Sequence, residues 1–563
     1  VTLAAGTTSP FQLENDEVAI KEDSSDTGKT IAKKNKEKTQ KKTADKPYPT
    51  VEVKIDETGL TDRIESLPVA PGNYYNLTAT NEGLYYVAAS FRTPGHLKFF
   101  DLKDKKETET GDINSYSISN NQKKIIFKKG DDFFIEDVSK IKIEAKNKLN
   151  LSGLKINTDL HAEWKQIFDE SWRQMRDYFY DPNMHGVNWK AMHDKYAVLL
   201  PYVNHRNDLT YIIGEMIGEL SIGHAYVNSG DRPEAERIKM GLLGATFSRD
   251  KSGYYKIDSI LSGESWDKTL VSPLRQPGVN VKKGDYIISI NGKDVSRLDN
   301  IYQALIGKAN QAIEILVNSK ASVTGSRKIF VKPIDDESNL YYHEWVQQNI
   351  AKVTKASGGK IGYLHIPDMG PEGLNQFARY FYPQLDKEAL IIDDRGNGGG
   401  NVSPMIIERL RRVPGLGTMM RNAKTANIKP DAQVGPKICL IDQYSASDGD
   451  LFPYQFQFYK IGPLLGQRTW GGVVGIRGSL PFIDGADMRK PEFAHFSADG
   501  SRFIIEGYGV DPDIEVVNDP HQEYLGNDIQ LLRAIEEMKR KLAEPGPKGV
   551  PPIPAFPDKS GKK

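Results

Sequence analysis

A hydroxyl, a carboxylate and a glycine-lined turn are the raw materials of acyl transfer, and three short segments late in this chain carry them. The first, Asp394-Arg-Gly-Asn-Gly-Gly-Gly-Asn401, directly follows the run Leu390-Ile-Ile-Asp393. Consecutive glycines let the main chain approach a ligand and aim N–H groups at an oxyanion. The same composition suits a tight turn or a phosphate cradle, although the Gly-x-Gly-x-x-Gly and Walker spacings are both absent. The second segment, Asp442-Gln-Tyr-Ser-Ala-Ser-Asp-Gly-Asp450, passes from an apolar strand into a helical stretch. A serine there holds its Oγ beside the first unsatisfied N–H groups of a helix. On this feature alone Ser447 is either an exposed nucleophile or an N-cap. The third, Ile505-Glu-Gly-Tyr-Gly-Val-Asp-Pro-Asp513, offers Glu506 either as a working carboxylate or as a solvated charge at a strand end.

Strands and helices must hold these loops. Ile361–Ile366, Ala389–Asp394 and Lys437–Asp442 read as strands, and Gln376–Leu385, Pro404–Arg412 and Asp448–Tyr459 as helices. Their alternation predicts a largely parallel sheet with ligands at the strand C-termini. Upstream, Met240–Pro333 contains Gly241-Leu-Leu-Gly-Ala-Thr-Phe247 and then Gly284–Val295, a strand, an Asn-Gly turn and a strand, followed by a helix-like stretch from Asn300 to Gly307. Before it Trp164, Phe168, Trp172, Met175 and Phe179 recur three or four residues apart, giving one apolar helical face that reads as core and stops at Asp181-Pro-Asn183. A second helix over Asn207–Leu220 leads into Ser221-Ile-Gly-His-Ala-Tyr226. From Pro47 to Lys148 short runs such as Gly83–Ala89, His96–Leu102 and Lys123–Lys128 alternate with Asn, Gly and Asp, in an order that resembles about two blades of a β-propeller. Stacked repeats generally need three or more units, which favours reading the chain as a piece of a longer one. Lys21–Lys46, rich in Lys, Asp, Ser and Thr, is expected to be a mobile linker, and the Pro-, Gly- and Lys-rich stretch beyond Glu544 a frayed tail.

Composition excludes several classes. At 563 residues the chain needs several cores, and 75 basic against 75 acidic side chains leave no net charge to recruit nucleic acid. Cys439, the single cysteine, lies in an apolar run and rules out a disulfide framework or a cysteine-rich zinc site. No run of about 18 apolar residues occurs, so no spanning helix is expected. No His-Glu-x-x-His pattern occurs, so neither a catalytic metal nor a cofactor is expected. Val1 is not preceded by a charged-then-apolar leader, which fits a mature form or a fragment and leaves the compartment open.

Taken together the three loops resemble the catalytic domain of the tail-specific and tricorn-core serine peptidases (peptidase S41). That family's Asp-x-Arg-x-Asn-Gly-Gly loop is matched by Asp393–Gly399, its nucleophile loop by Ser445-Ala-Ser-Asp-Gly449, and two further runs by Thr469–Ile476 and Glu506–Asp513. Outside that domain the resemblance extends through Gly218–Tyr226 and the strands before the helical block, and the Met240–Pro333 unit is similar to a PDZ domain. The resemblance implies a multidomain α+β protein. Its expected parts are a linker over 1–46, propeller-like strands over 47–150, a small helical domain over 151–238, a PDZ-like domain over 239–335, an α/β crotonase-like (ClpP-like) peptidase domain over 336–543 and a tail over 544–563. It implies Ser447 as nucleophile, His224 as general base, Glu506 as the acid behind the base, and an oxyanion hole from the N–H groups of Asp448 and the Gly398-Gly399 pair. In the PDZ-like unit, Gly241, Leu242, Leu243 and Gly244 are expected to receive a peptide carboxylate.

One position departs from the family: the residue before the histidine is Gly223, where the tricorn core has a serine that completes a tetrad. The path from Glu506 to His224 is then expected through water, direct contact or another hydroxyl such as that of Ser221. The family's preference for a basic P1 residue does not carry over either, since Val413–Lys424 contains no carboxylate. Ten histidines occur, and His185, His365 and His495 rank behind His224 as bases. The partners implied are peptides or unfolded proteins and further copies of the chain, in a closed ring such as a hexamer. A cytoplasmic location is implied, with an exported form as the alternative. The rival readings are a non-catalytic peptide-binding scaffold and a crotonase-like acyl-CoA enzyme.

Overall fold

The structure, a computed structural model, describes residues 2–7, 9, 11, 53–89, 95–138, 147–230, 235–422, 427–478 and 480–561. The linker expected over Lys21–Lys46 lies outside the described residues. Two compact units, Val1–Asn157 and Thr158–Lys563, make up the chain, a multidomain α+β protein.

In the first unit the strands Asn73–Ala79, Gly83–Ala89, Gly95–Asp101 and Lys106–Ile113 form an antiparallel sheet in sequence order, and Ser115–Ile118, Lys124–Lys129 and Asp132–Asp137 form a second one. Alternation along these strands sends Tyr85, Val87, Leu97, Phe99, Phe127 and Phe134 into one core.

The second unit opens with the helix Leu160–Tyr178. Asp159 caps it by accepting from the N–H groups of His161 and Ala162. The aromatic stripe is core as expected, with Trp164, Phe168, Met175 and Phe179 buried against Ile213 and Met216 of the helix Arg206–Gly218. The chain then turns into the two-residue strand Tyr226–Val227, which pairs with Met488–Phe493, itself paired with Gly475–Arg477. This small sheet carries His224 to the carboxyl-terminal domain.

The next layer is an antiparallel sheet in the order Arg327–Val331, Ile313–Asn318, Tyr286–Ile290, Tyr255–Ile260, Ala245–Arg249, with Lys293–Asp294 folded back on Tyr286–Ile290. The helix-like stretch at Asn300–Gly307 is shorter than the sequence suggests. It forms only a single 3₁₀ turn, Ile301–Ala304, because Asn300 caps it and Leu305 turns inward to the core.

The last layer is a five-stranded parallel sheet in the order Ile361–His365, Ala389–Asp393, Lys437–Ile441, Leu464–Gly466, Ile514–Glu515. Its strands are apolar on both faces because both faces are covered. Leu364, Leu390, Ile392, Cys439 and Ile441 pack with Phe377, Phe452 and Phe456 on one side. Tyr363, Ile391, Ile438 and Leu440 pack with Val353, Leu531, Ile535 and Met538 on the other. Among the described residues the tail beyond Glu544 forms neither helix nor strand, yet Gly549 donates to the Val434 carbonyl at 2.8 Å. No helix among the described residues is long and apolar enough to cross a membrane.

Because neighbouring residues of Ala389–Asp393 face different cores, Ile391→Ala and Ile392→Ala should each lower unfolding stability by about 2–5 kcal/mol. Urea unfolding followed by fluorescence tests this, and a neutral result at either position would mean that one face of the sheet is open.

Candidate active site

All three chemistry-bearing segments meet beyond the carboxyl ends of the parallel strands. Asn397, wholly buried, does much of the joining. Its Nδ2 donates to the Ile366 carbonyl (3.1 Å) and Asp394 Oδ1 (2.9 Å), its Oδ1 accepts the Gly399 N–H (2.9 Å), and its carbonyl accepts the Ala446 N–H (2.8 Å). Gly399 thereby lies against the serine turn. A Cβ at Gly399 would sit 2.6 Å from that of Ser447, and its φ of +88° is one that side-chain-bearing residues avoid.

Ser447 immediately precedes the helix Asp448–Phe458 with φ 59° and ψ −120°, and its hydroxyl makes no capping hydrogen bond. The N-cap alternative therefore has no support in the geometry. Ser445 differs. It is wholly buried, and its Oγ donates to the Asp394 carbonyl at 2.8 Å. The N–H of Asp448 has no partner among the described residues, nor has that of Gly398, whereas the Gly399 N–H is engaged by Asn397. The Asp448 carboxylate clamps the start of the helix Ser403–Leu410, accepting from the Ser403 N–H (2.9 Å) and Oγ. Burial raises its pKa, and that of Asp450, whose Oδ1 accepts the Gly471 N–H at 2.7 Å.

His224 is buried with Nδ1 2.6 Å from the Val474 carbonyl, so Nδ1 carries the proton and Nε2 presents a lone pair. Burial pushes its pKa below the usual 6.5, against the Val474 hydrogen bond and the Glu506 charge, which pull it upward. Trp470 connects His224 and the serine turn. Its ring stands edge-on to the imidazole with centroids 5.8 Å apart, and its backbone N–H donates to the Ser445 carbonyl at 3.0 Å. Among the other histidines, His185 has both nitrogens engaged, by Leu220 and Tyr180, and so has His365, by Tyr342 and Arg395. His495 lies in the field of Asp448.

Glu506 bonds to the main chain and not to the imidazole. Its Oε2 accepts the N–H groups of Val473 (2.7 Å) and Val474 (2.9 Å), and its Oε1 accepts that of Gly223 (3.3 Å). Among the described residues the route to His224 thus runs along the main chain of Val474, whose N–H donates to Glu506 and whose carbonyl faces Nδ1, and Ser221 makes no bond in it. Sequence reasoning had no signal for this, because the participants are backbone groups. The same applies to the Met240–Gly244 loop. The N–H groups of Gly241, Leu242 and Gly244 already donate to Leu305, Ile334 and Glu337, and Leu243 is buried, so the loop is not a cradle of free donors for a carboxylate. Among the described residues no group of three His, Cys, Asp or Glu side chains could hold a metal ion.

The serine turn and the glycine loop at the parallel sheet lie within residues 360–516, which match the profile of peptidase family S41. The profiles for the tricorn protease C1 and PDZ domains match residues 160–218 and 241–336. The chain belongs to the tricorn protease family. It is 33% identical over 531 residues to tricorn protease homolog 1 of Streptomyces coelicolor, covering 89% of this chain and 48% of that one. To the tricorn protease of Thermoplasma volcanium it is 33% identical over 495 residues, covering 84% and 46%. The crystal structure of the tricorn protease superposes with a TM-score of 0.77 at 30% identity, over 85% of this chain and 47% of that one. The chain spans about half the length of these relatives.

Ser447 occupies a backbone region that costs a non-glycine residue about 1–3 kcal/mol. Ser447→Gly should therefore raise the melting temperature, whereas Ser445→Ala, which removes one buried hydrogen bond and leaves the Asp394 carbonyl with the Asn397 N–H, should cost about 0.5–1.5 kcal/mol. Calorimetry on both variants checks this, and a lower melting temperature for Ser447→Gly would remove the case for stored strain.

Proposed function

We propose that the chain is a serine-type peptidase that cleaves peptides through an acyl-enzyme. The observation that carries this reading is the uncapped, strained Ser447 at a helix start, held against Gly399 within the S41-matched domain. His224 Nε2 takes the proton as Ser447 Oγ attacks the scissile carbonyl, and returns it to the leaving amine. The tetrahedral oxygen accepts from the N–H groups of Asp448 and Gly398, where the helix dipole also favours negative charge. A water molecule then repeats the sequence on the ester. Glu506 is a positioning residue. It fixes the Gly471–Val474 segment whose carbonyl holds the base, and its charge stabilises the imidazolium.

The finer architecture is part of the same reading. The four-stranded meander and the three-stranded sheet of the first unit support two propeller-type blades of a larger ring of blades. The two-sided parallel sheet supports a crotonase-like peptidase domain over 336–543, and the antiparallel sheet a PDZ-like domain over 239–335. Peptides are the substrates, and the family resemblance supports ring-shaped assembly from further copies.

Ser447→Ala and His224→Ala should each lower turnover of a fluorogenic peptide by several orders of magnitude with the fold retained. The double variant should be scarcely worse, because the pair acts as a unit. A fluorophosphonate probe mapped by mass spectrometry to a serine other than 447 would overturn the assignment.

Because His224 must be neutral to act, kcat/KM should rise with pH and level off with a midpoint below 6.5. Glu506 raises that pKa, so Glu506→Gln should move the acid limb to lower pH while reducing kcat more than it changes KM. An unmoved limb with full turnover would make Glu506 a purely structural residue. A Cβ at Gly223 would stand 3.9 Å from Glu506 Oε1, so Gly223→Ser places a hydroxyl beside that carboxylate without backbone strain and should be tolerated.

A further inference from the structure

The sheet of the PDZ-matched unit borders a cavity of about 590 Å³, lying between the end of the strand Tyr255–Ile260 and the segment Leu274–Lys283. That volume falls inside the roughly 300–1,000 Å³ range of ligand sites. Its lining is one-sided in charge. Arg275, Lys282 and Lys283 contribute cations, Ser259, Gln276 and Asn280 contribute neutral polar groups, and no lining residue is acidic. In a chain whose 75 basic and 75 acidic residues cancel, such an imbalance is local.

The three cations are also unengaged. None of their side chains forms an ion pair or a hydrogen bond with another described residue. The carboxylates nearby have other partners. Asp285 accepts the Lys282 backbone N–H at 3.1 Å and stands 3.8 Å from Arg327. Glu344, which feels the charge of Arg275, accepts both the N–H and the hydroxyl of Ser262. Arg327 adds positive charge behind one wall and fixes it by donating to the carbonyls of Val279 and Asn280. Meanwhile the Met240–Gly244 loop has its donors at Gly241, Leu242 and Gly244 occupied within the chain, the last by the Glu337 carboxylate.

We infer that this cavity docks carboxylate-bearing peptide, through the free C-terminus or an acidic side chain of a substrate, in place of the loop that a PDZ-like unit is expected to use. The inference rests on the peptidase reading for the identity of the ligand, but not for its binding. Docking there would tether a substrate by a charge that takes no part in the cleavage. Since the cations are solvent-exposed, the attraction is screened over about 8 Å at physiological salt, and binding should weaken as salt rises.

The test uses the full chain carrying Ser447→Ala, so that binding is read without cleavage. Fluorescein-labelled peptides with a free acidic C-terminal segment are titrated by anisotropy, beside their C-terminally amidated and Glu→Gln counterparts. Binding should be salt-sensitive and should drop about tenfold when Arg275, Lys282 and Lys283 are all replaced by glutamate. Loss on amidation would identify the C-terminus as the group bound, and loss on Glu→Gln would identify the side chains. In the otherwise wild-type enzyme the triple variant should raise KM for the acidic peptide and leave kcat and the neutral peptide unchanged. Equal affinity for acidic and neutral peptides, binding untouched by the triple variant, or tighter binding of inorganic phosphate or an oligonucleotide would each overturn the inference. Because anisotropy does not depend on turnover, an error in the catalytic assignment would show in the probe-labelling experiment and not here.

Discussion

A guanidinium removed from water sits under the whole carboxyl-terminal domain. Arg395 is buried between two carboxylates, with Nε 2.9 Å from Asp393 Oδ1, Nη2 2.6 Å from Asp393 Oδ2 and 2.8 Å from Asp528 Oδ2, and Nη1 3.0 Å from Asp528 Oδ1. Gln530 and Tyr363 complete the network, the first accepting from Nη1 and the second donating to Asp393 at 2.8 Å. Burying such charges is tolerable only when nearly every donor and acceptor is met, as here. One group thereby fixes the end of the strand Ala389–Asp393, the entry to the glycine loop and, through Asp528, the cap of the helix Ile529–Ala543. Loss of a single partner would strand the other charges in a dry interior, which typically costs about 3–5 kcal/mol.

From that anchor outward the site is assembled by main-chain bonds between segments far apart in sequence. Ala446 donates to Asn397, Trp470 to Ser445, and Gly507 to Gly471, so the glycine loop, the serine turn, the Thr469–Ile476 run and the Glu506 loop form one fabric. Thr469 adds a stitch by accepting the Val510 N–H at 2.8 Å. Irregular backbone can be held this firmly only because the parallel sheet beneath presents strand ends in a fixed register. The buried carboxylates of Asp448 and Asp450 brace it from within, each turned toward an N–H group and away from solvent.

Much of this was legible in the sequence, for reasons that differ by element. Runs such as Leu390-Ile-Ile and Lys437–Ile441 announce a two-sided sheet because both faces need apolar cover. The helix of Trp164 to Phe179 announces itself by spacing, since only one side of it is buried. The loops are legible through residue types that their geometry demands, as with Gly399 and its positive φ. What stayed hidden is whatever depends on backbone donors and acceptors, which every residue type shares. Nothing in the letters says that Glu506 bonds to Val473 and Val474 and not to the His224 ring, or that Gly241 and Leu242 bond inward to Leu305 and Ile334. The stretch from Asn300 to Gly307 misleads for a related reason. Its helix-favouring residues are overruled by the inward pull on Ile301 and Leu305.

Orientation of the imidazole by the Val474 carbonyl also bears on how this protein tolerates change. A side-chain partner for a histidine can be lost by one substitution, but a carbonyl is present whatever residue occupies position 474. Drift at 473 and 474 can therefore alter packing without erasing the contact. Sensitivity moves to the path of the chain itself. Val474 directly precedes the strand Gly475–Arg477, so a shift of that strand against Met488–Phe493 would turn the ring while every side chain stayed intact. In this molecule the setting of the His224 imidazole is encoded in a fold coordinate more than in any single letter of the sequence.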